Sequence, residues 1–281
     1  MTQISIAVPD SFLAGSQSLL EKSIKISQLA RASAIFRVDN IFIYRDFSIR
    51  TDTRDVNITR IILEYLDTPP YLRKSLFPQT WILKHAGMLP PIKAPHHKSK
   101  ISSRDLKIGD VRVGITLKLN GIIYANVGLD SPIALPESNM LNKKIIVKVI
   151  ALCPKITGIE IQKEKLEGYW GYRVSYSSSL KALLRSYNLD EIIITSIQGR
   201  SISEKEFSGS MQRKICRIKD LLVVFGSPNS GLKKIMKCED LEVSHFPFVI
   251  NMFPNQGTET VRVEEAILGT LSILNKEINV F

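Results

Sequence analysis

The chain has 281 residues, 44% apolar and 23% charged, and carries a formal net charge of +11. That composition gives a packed core of one large or two modest domains and excludes a disordered or collagen-like chain. Asp10 interrupts the N-terminal apolar stretch and no apolar run approaches membrane-spanning length, so a secretory leader and a transmembrane helix are not expected, and the cytoplasm is the expected location.

Ile4–Val8 reads as a short strand ended by Pro9-Asp10, and Leu19–Phe36 repeats apolar residues at helical spacing. Val38–Tyr44 is a second strand. Asn57–Leu66 is an amphipathic helix that stops before Pro69-Pro70. From Pro90 the texture changes. A proline- and histidine-rich boundary loop (residues 90–100) leads to short alternating stretches at Asp110–Leu119, Gly121–Val127 and Lys144–Ala151, separated by turn residues. Such spacing predicts a small β-barrel of OB-like type. Residues 93–165 hold 13 Lys/Arg against 6 Asp/Glu, more than half of the net charge. A basic module of this kind fits a polyanionic partner, while a solubilising surface accounts for the charge alone.

After about Leu166 the strand–helix rhythm returns, with Tyr172–Tyr176 strand-like and Ser179–Tyr187 helical. Three strands then each run into a small polar loop. Glu191–Ser196 opens onto residues 197–200, Leu221–Phe225 onto residues 226–232, and Phe248–Phe253 onto residues 254–260. In open α/β sheets ligands bind beyond the carboxyl ends of the strands, so three such loops predict one composite pocket. The α/β domain is therefore split, residues 1–92 and 166–281, around an inserted module at 93–165.

The three cysteines, Cys153, Cys216 and Cys238, form no C-x-x-C pair, and the four histidines lack zinc-type spacing, so neither a disulfide nor a metal is expected. Cys216 and Cys238 are read as buried thiols. Gly226-x-x-x-x-Gly231 starts like a phosphate-binding loop, but Leu232 stands where the lysine belongs and Lys233 where Ser/Thr would meet magnesium. No G-x-G-x-x-G follows the first strand, and no nucleophile elbow or metal-binding carboxylate cluster is present, which leaves a cofactor held largely by backbone groups. The third loop enters a helix that Thr258 or Thr260 can cap, with Val263, Ala266, Ile267, Leu271 and Leu274 on its buried face. Glu264 and Glu265 suit the positive end of that helix; Arg262 in the same turn does not, which makes it the stronger functional candidate.

Asn251–Leu268 (NMFPNQGTETVRVEEAIL), with Val224-Phe225-Gly226 before it, resembles the C-terminal half of SPOUT-class RNA methyltransferases, in particular the archaeal and eukaryotic family with an OB-like insertion. Gln28–Phe36 with Val38-Asp39, Tyr71-Leu72-Arg73-Lys74 with Phe77-Pro78, Ala86-Gly87, Pro95-His96-His97 and Tyr169-Trp170-Gly171-Tyr172 agree with it in the same order. The resemblance implies a C-terminal trefoil knot, a homodimer with no membrane or metal requirement, and S-adenosyl-L-methionine as cofactor. It places the cofactor on Thr195, Ser196, Gly199 and Arg200; on Gly226, Ser227, Gly231 and Leu232; and on Asn251, Phe253, Pro254, Gln256, Gly257, Thr258, Thr260 and Val261, with Glu259 as a possible ribose ligand. Arg262, Glu264, Glu265 and Arg31 take the catalytic positions, against the alternative of an ion-paired helix start and an exposed helix arginine. RNA contacts are expected from Arg73, Lys74, His96, His97, Lys98, Lys100, Arg104, Lys107, Arg112, Lys118, Lys143, Lys144 and Lys148, and Trp170 and Tyr172 either stack on a base or pack a junction. The activity implied is methylation of ribosomal RNA at a base nitrogen such as uridine N3; a non-catalytic RNA-binding assembly factor is the alternative.

Overall fold

The computed structural model describes residues 2–203, 212–215, 217–228 and 231–278. The chain divides into two compact units: residues 1–64, 82–90 and 172–281 form the first, residues 65–81 and 91–171 the second.

The first unit is built on six strands: β1 (Gln3–Pro9), β2 (Asn40–Tyr44), β8 (Arg173–Ser177), β9 (Ile192–Ser201), β10 (Asp220–Val224) and β11 (Phe248–Asn251). They lie in the order β11-β9-β10-β1-β2-β8, every pair parallel. Parallel strands are covered on both faces, so they read as continuous apolar runs. Ile4, Ile6, Ala7 and Val8 of β1 and Leu221–Val224 of β10 are accordingly buried.

Helix α1 (Leu19–Ile35) starts at a capping box, with the Glu21 amide donating to Ser18 Oγ and Glu21 Oε2 accepting from the Ser18 amide. It packs on α7 (Val263–Ile278), whose Val263, Ile267, Leu271 and Leu274 face inward. A second core joins α4 (Leu180–Leu184) and α6 (Gly231–Lys237) to the sheet: Leu180, Leu183, Leu232, Ile235 and Met236 meet Ala7, Ile192, Ile194, Leu222 and Val224. Helix α2 (Thr53–Asp67) begins four residues before the expected start, and α5 (Gln212–Ile215) is a single turn.

β9, expected as Glu191–Ser196, runs on to Ser201. Val249 pairs with Ile194 but Ile250 pairs with Arg200, so residues 195–199 leave the β9–β11 ladder as an excursion and the strand then resumes. Gly199 closes that excursion against β11. A Cβ there would stand 2.7 Å from both the Ile250 nitrogen and the Val249 oxygen, so only glycine lets the two backbones approach this closely.

The second unit holds β3 (Val111–Leu119), β4 (Ile122–Asn126), β5 (Ile133–Ala134), β6 (Lys144–Ala151) and β7 (Thr157–Glu160), hydrogen-bonded in a closed ring in the order β3-β4-β5-β7-β6. Asn120 (φ 49°) and Gly121 (φ 83°) form the left-handed two-residue turn between β3 and β4 that an Asn-Gly pair favours. Leu106, Ala125, Val127, Ile133, Leu135, Ile145, Val147 and Val149 fill the interior.

This unit also takes in residues 65–81 with α3 (Pro70–Leu76), beyond the expected limit of the insertion. The reason lies in Tyr71. Its hydroxyl donates to the Val113 carbonyl at 2.7 Å, its ring carries the Arg112 guanidinium 5.1 Å from the centroid, and Gly128 leaves room for the same ring.

Cys238 is exposed rather than buried, as is Cys153. Cys238 follows the last turn of α6, whose apolar face is supplied by Leu232, Ile235 and Met236 instead. Cys216, Asn229 and Ser230 lie outside the described residues. Among the described residues, no helix is long and apolar enough to cross a membrane.

Candidate functional site

Beyond the carboxyl ends of β9, β10 and β11 lies a cavity of about 610 Å³, within the size range of small-molecule and cofactor sites. Three chain segments build it: the 195–198 excursion, residues 225–228 after β10, and the loop after β11. Helices α6 and α7 close the remaining sides through Leu232, Lys233, Lys234 and Lys237, and through Val263, Ala266 and Thr270.

The segments are tied to one another. Thr195 Oγ1 donates to the Val224 carbonyl at 2.8 Å, and Asn251 Nδ2 to the Ile197 carbonyl at 3.2 Å. Lys233 Nζ reaches Gln198 Oε1 at 3.1 Å, and Gln256 Nε2 bonds the carbonyls of Thr258 and Glu259, folding the last loop on itself. Tyr44 on β2 supports the second segment through its buried hydroxyl, 2.6 Å from the Phe225 carbonyl. Burial first, and then the charges of Asp46, Glu239 and Asp10, hold that phenol well above its ordinary pKa. At Gly226 the segment after β10 packs tightly on the start of α6: a Cβ would stand 2.5 Å from the Leu232 nitrogen.

Of the residues expected to hold a cofactor, the cavity brings together Thr195, Ser196, Gly226, Ser227, Gly231, Leu232, Asn251, Phe253, Gln256, Thr260 and Val261. Gly199, Arg200, Pro254, Gly257 and Thr258 are not on its wall. Gly199 serves the close approach of β9 to β11 instead. The α6 lysines and Thr270 are wall residues that the sequence does not single out: its pattern places α6 nowhere, and Thr270 carries no signal beyond helical spacing.

The residues expected to act in catalysis fall elsewhere. Arg262 is exposed and occupies the cap position of α7: its carbonyl accepts from the Ala266 amide at 2.7 Å, and its own amide donates to Glu265 Oε2 at 3.0 Å. Glu265 thus closes the helix start, and neither Thr258 nor Thr260 caps it, because the helix begins only at Val263. Glu264 is buried, and Arg31 is half-buried on α1. None of the four lines the cavity; among its described lining residues Glu259 is the one carboxylate.

The second unit distributes its basic residues unequally. Lys74, Lys100, Arg104, Lys107, Lys118, Lys143 and Lys148 are exposed. Arg112 is buried and cannot meet RNA. Its Nε donates to the Val127 carbonyl at 2.8 Å and its Nη2 to the Ser99 carbonyl at 2.6 Å, replacing hydration with backbone acceptors. Arg73 bonds the Thr68 carbonyl and lies 4.6 Å from the Tyr65 ring centroid, and Lys98 Nζ donates to the Val111 carbonyl.

His96 is likewise buried, which removes it as an RNA contact. Its Nε2 lies 3.2 Å from Asp67 Oδ1 and 3.1 Å from the Asp67 carbonyl oxygen, which His97 Nε2 also reaches at 2.9 Å. Lys144 Nζ sits 2.9 Å from Asp67 Oδ2. Burial pushes the Asp67 carboxyl up, but Lys144 and His96 outweigh it and hold it below the ordinary carboxylate value. Asp67, His96 and His97 bring potential ligand atoms within 4.8 Å of one another. The Lys144 ammonium, however, already neutralises the carboxylate, and both Nε2 atoms lie at hydrogen-bonding distance from one carbonyl. Trp170 is half-buried, its ring 6.5 Å from that of His96. Tyr172 is buried with its hydroxyl on the Leu63 carbonyl, so it does not stack on a base.

An all-parallel sheet with a ligand-sized cavity over three strand ends, carried in one chain with a basic β unit, defines an α/β protein of two compact units. The sequence profile of the family described as "Putative RNA methyltransferase" matches residues 3–274, and the chain belongs to that family. It is similar to the 28S rRNA (uridine-N(3))-methyltransferase of Drosophila melanogaster, 28% identical over 312 residues that cover 98% of this chain and 62% of the fly protein. The human protein of the same name is 28% identical over 96% of this chain and 77% of its own length. An uncharacterized protein of Halobacterium salinarum, VNG_1688C, is 28% identical over 96% of this chain and 98% of its own.

Proposed function

We propose that this protein is an S-adenosyl-L-methionine-dependent methyltransferase acting on ribosomal RNA, with a base nitrogen such as uridine N3 as acceptor. The observation that carries the reading is the cavity formed jointly by the three strand-end segments. Its size and its three strand-end segments fit a nucleoside-containing cofactor, and Gly226 admits the close packing of α6 that shapes one wall. The relatives named for uridine-N3 methylation support the acceptor.

S-adenosyl-L-methionine supplies a methyl group already activated as a sulfonium. The chain's own share is to position the nucleotide and to receive a proton from the acceptor nitrogen. In this reading Glu259 takes a ribose hydroxyl or that proton, supported by its position on the cavity wall, with Glu264 buried off the cavity and Glu265 closing the helix. In this reading Arg262 meets RNA, supported by its exposure one residue past the cavity wall at Val261. The exposed lysines of the second unit, an OB-like barrel in this reading, hold the RNA backbone. In this reading the C-terminal segment of the first unit is threaded as a trefoil knot. Exposed Ile24 and Ile35 on α1 and Leu268 on α7 supply an apolar face for a homodimer.

The test is incubation of the purified protein with S-adenosyl-L-methionine and ribosomal RNA lacking the modification, followed by nucleoside mass spectrometry. Formation of 3-methyluridine is expected. A ribose-methylated product would overturn the acceptor, and no methylated nucleoside would favour the non-catalytic alternative.

A further inference from the structure

At the carboxyl end of β2, three buried polar residues hold one arginine in place. Asp10 and Asp46 are 3% and 0% exposed, and burying two carboxylates is costly unless each is hydrogen-bonded. Asp46 accepts from Ser11 Oγ at 2.5 Å, from the Ser48 amide at 2.8 Å and from Ser48 Oγ at 2.6 Å. Asp10 accepts from the Asp46 amide at 3.0 Å and Thr51 Oγ1 at 3.0 Å, and pairs with Arg45 Nη1 at 3.1 Å. Thr51 also meets Arg45 Nη1.

The network pins the turn from Arg45 to Thr51 yet uses only one nitrogen of the guanidinium. Nε and Nη2 of Arg45 keep no protein partner among the described residues, and the side chain is 26% exposed. Arginine held this way keeps donors pre-aimed at an outside acceptor, and a planar fork of that kind suits phosphate.

Two aromatic side chains flank it. Phe47 is 53% exposed, with the Arg45 guanidinium 6.0 Å from its ring centroid. Tyr176 on β8 is 49% exposed and pairs in register with Ile43, and the Arg45 amide carries the ladder one residue past β2 by donating to the Ser177 carbonyl at 3.1 Å, so the pleat puts Tyr176 on the same sheet face as Arg45. The charges of Asp10 and Arg45 both bear on its phenol, behind burial as the larger influence. Exposed aromatic rings beside an anchored cation are the two elements by which proteins hold single-stranded nucleic acid: stacking on any base and pairing with phosphate. The patch lies at the same end of the parallel sheet as the cavity, and the residue before Arg45, Tyr44, bonds the cavity segment at Phe225.

We propose that Arg45, Phe47 and Tyr176 form a docking site for a single-stranded nucleotide of the substrate RNA, phosphate on Arg45 and base on the aromatic rings. The site rests on the RNA methyltransferase reading and adds to it a place for a nucleotide other than the one methylated.

The test is fluorescence anisotropy with 5′-fluorescein decauridylate, together with S-adenosyl-L-methionine calorimetry on the same samples. Phe47→Ala and Tyr176→Ala each weaken oligonucleotide binding about tenfold and leave its salt dependence and the donor affinity unchanged. Arg45→Gln weakens binding and lowers the salt slope by about one. Because Arg45→Gln strands the buried Asp10, the two aromatic variants, which remove only exposed rings, decide the matter if it fails to fold. Oligonucleotide affinity within twofold of wild type in both aromatic variants overturns the site, as does equal loss of donor affinity. A wild-type protein that binds decauridylate through these residues but not the donor would instead remove the methyltransferase reading and leave the docking site standing.

Discussion

Gly226→Ala is the most demanding single perturbation of the cavity. The added Cβ would stand 2.5 Å from the Leu232 nitrogen, 2.9 Å from the Gly231 carbonyl carbon and 3.1 Å from Leu232 Cα, all backbone atoms at the start of α6. Comfortable carbon contacts lie near 3.5–4.0 Å, so the first turn of α6 must retreat by about 1 Å. No side chain can rotate away to relieve the clash. Overpacking of this kind costs about 1–3 kcal/mol, and a displacement of about 1 Å in a positioning element can lower catalytic rate about a hundredfold. Leu232 and Gly231 both line the cavity, so the same shift opens its wall. Urea denaturation reads the first effect, and calorimetry with S-adenosyl-L-methionine and turnover read the second. Gly257→Ala is the control: it lies in the loop after β11, where an added Cβ meets nothing within 4 Å, and it should leave stability unchanged. If Gly226→Ala matched wild type in stability and donor affinity, the close approach of strand and helix would not be what shapes this wall.

Ala266→Phe should fill the cavity from α7, abolishing measurable donor binding while the melting temperature holds, because Ala266 is only half-buried beside open space. Lys144→Met removes the ammonium beside the buried Asp67 carboxylate. The expected loss is roughly 1–3 kcal/mol, less than for a fully buried pair because the lysine side chain is 38% exposed. The acid limb should follow the same cluster. Asp67 has a folded pKa below its unfolded value, so its contribution is complete above about pH 4 and is lost as the pH falls through the lower folded value. His97 is depressed by burial and then by His96, so protonation favours the unfolded chain and stability should begin to fall as the pH drops below about 6.5; circular dichroism melts across pH 7 to 3 would show both steps, and a flat profile would contradict them. Replacing Lys100, Arg104, Lys118 and Lys143 together with alanine should lower the RNA-binding salt slope by about 3–4 without altering donor affinity.

The parallel strands are legible in the sequence because continuous apolar runs such as Leu221–Val224 need cover on both faces, and the cavity's location follows from where those strands end. What sequence does not show is pairing across long separations. Nothing local to Asp67 announces that His96, 29 residues on, and Lys144, 77 residues on, converge upon it. The His96-His97 pair in a proline loop therefore reads as exposed. Arg112 reads as a surface cation for the same reason: its acceptors are backbone carbonyls of Ser99 and Val127, which carry no residue signature. β5 and β7, two and four residues long, are below the length at which alternation is visible, yet they close the ring. The excursion at residues 195–199 reads as a terminal loop because its continuation as a strand depends on β11, which comes about 50 residues later.

In the proposed function one donor molecule sits against all three strand-end segments. Amide hydrogen exchange with and without S-adenosyl-L-methionine measures that contact directly. Donor-dependent protection is expected in residues 195–199, 225–228 and 251–261 together, with the β3–β7 ring unchanged. Protection confined elsewhere, or in none of the three, would contradict the proposal.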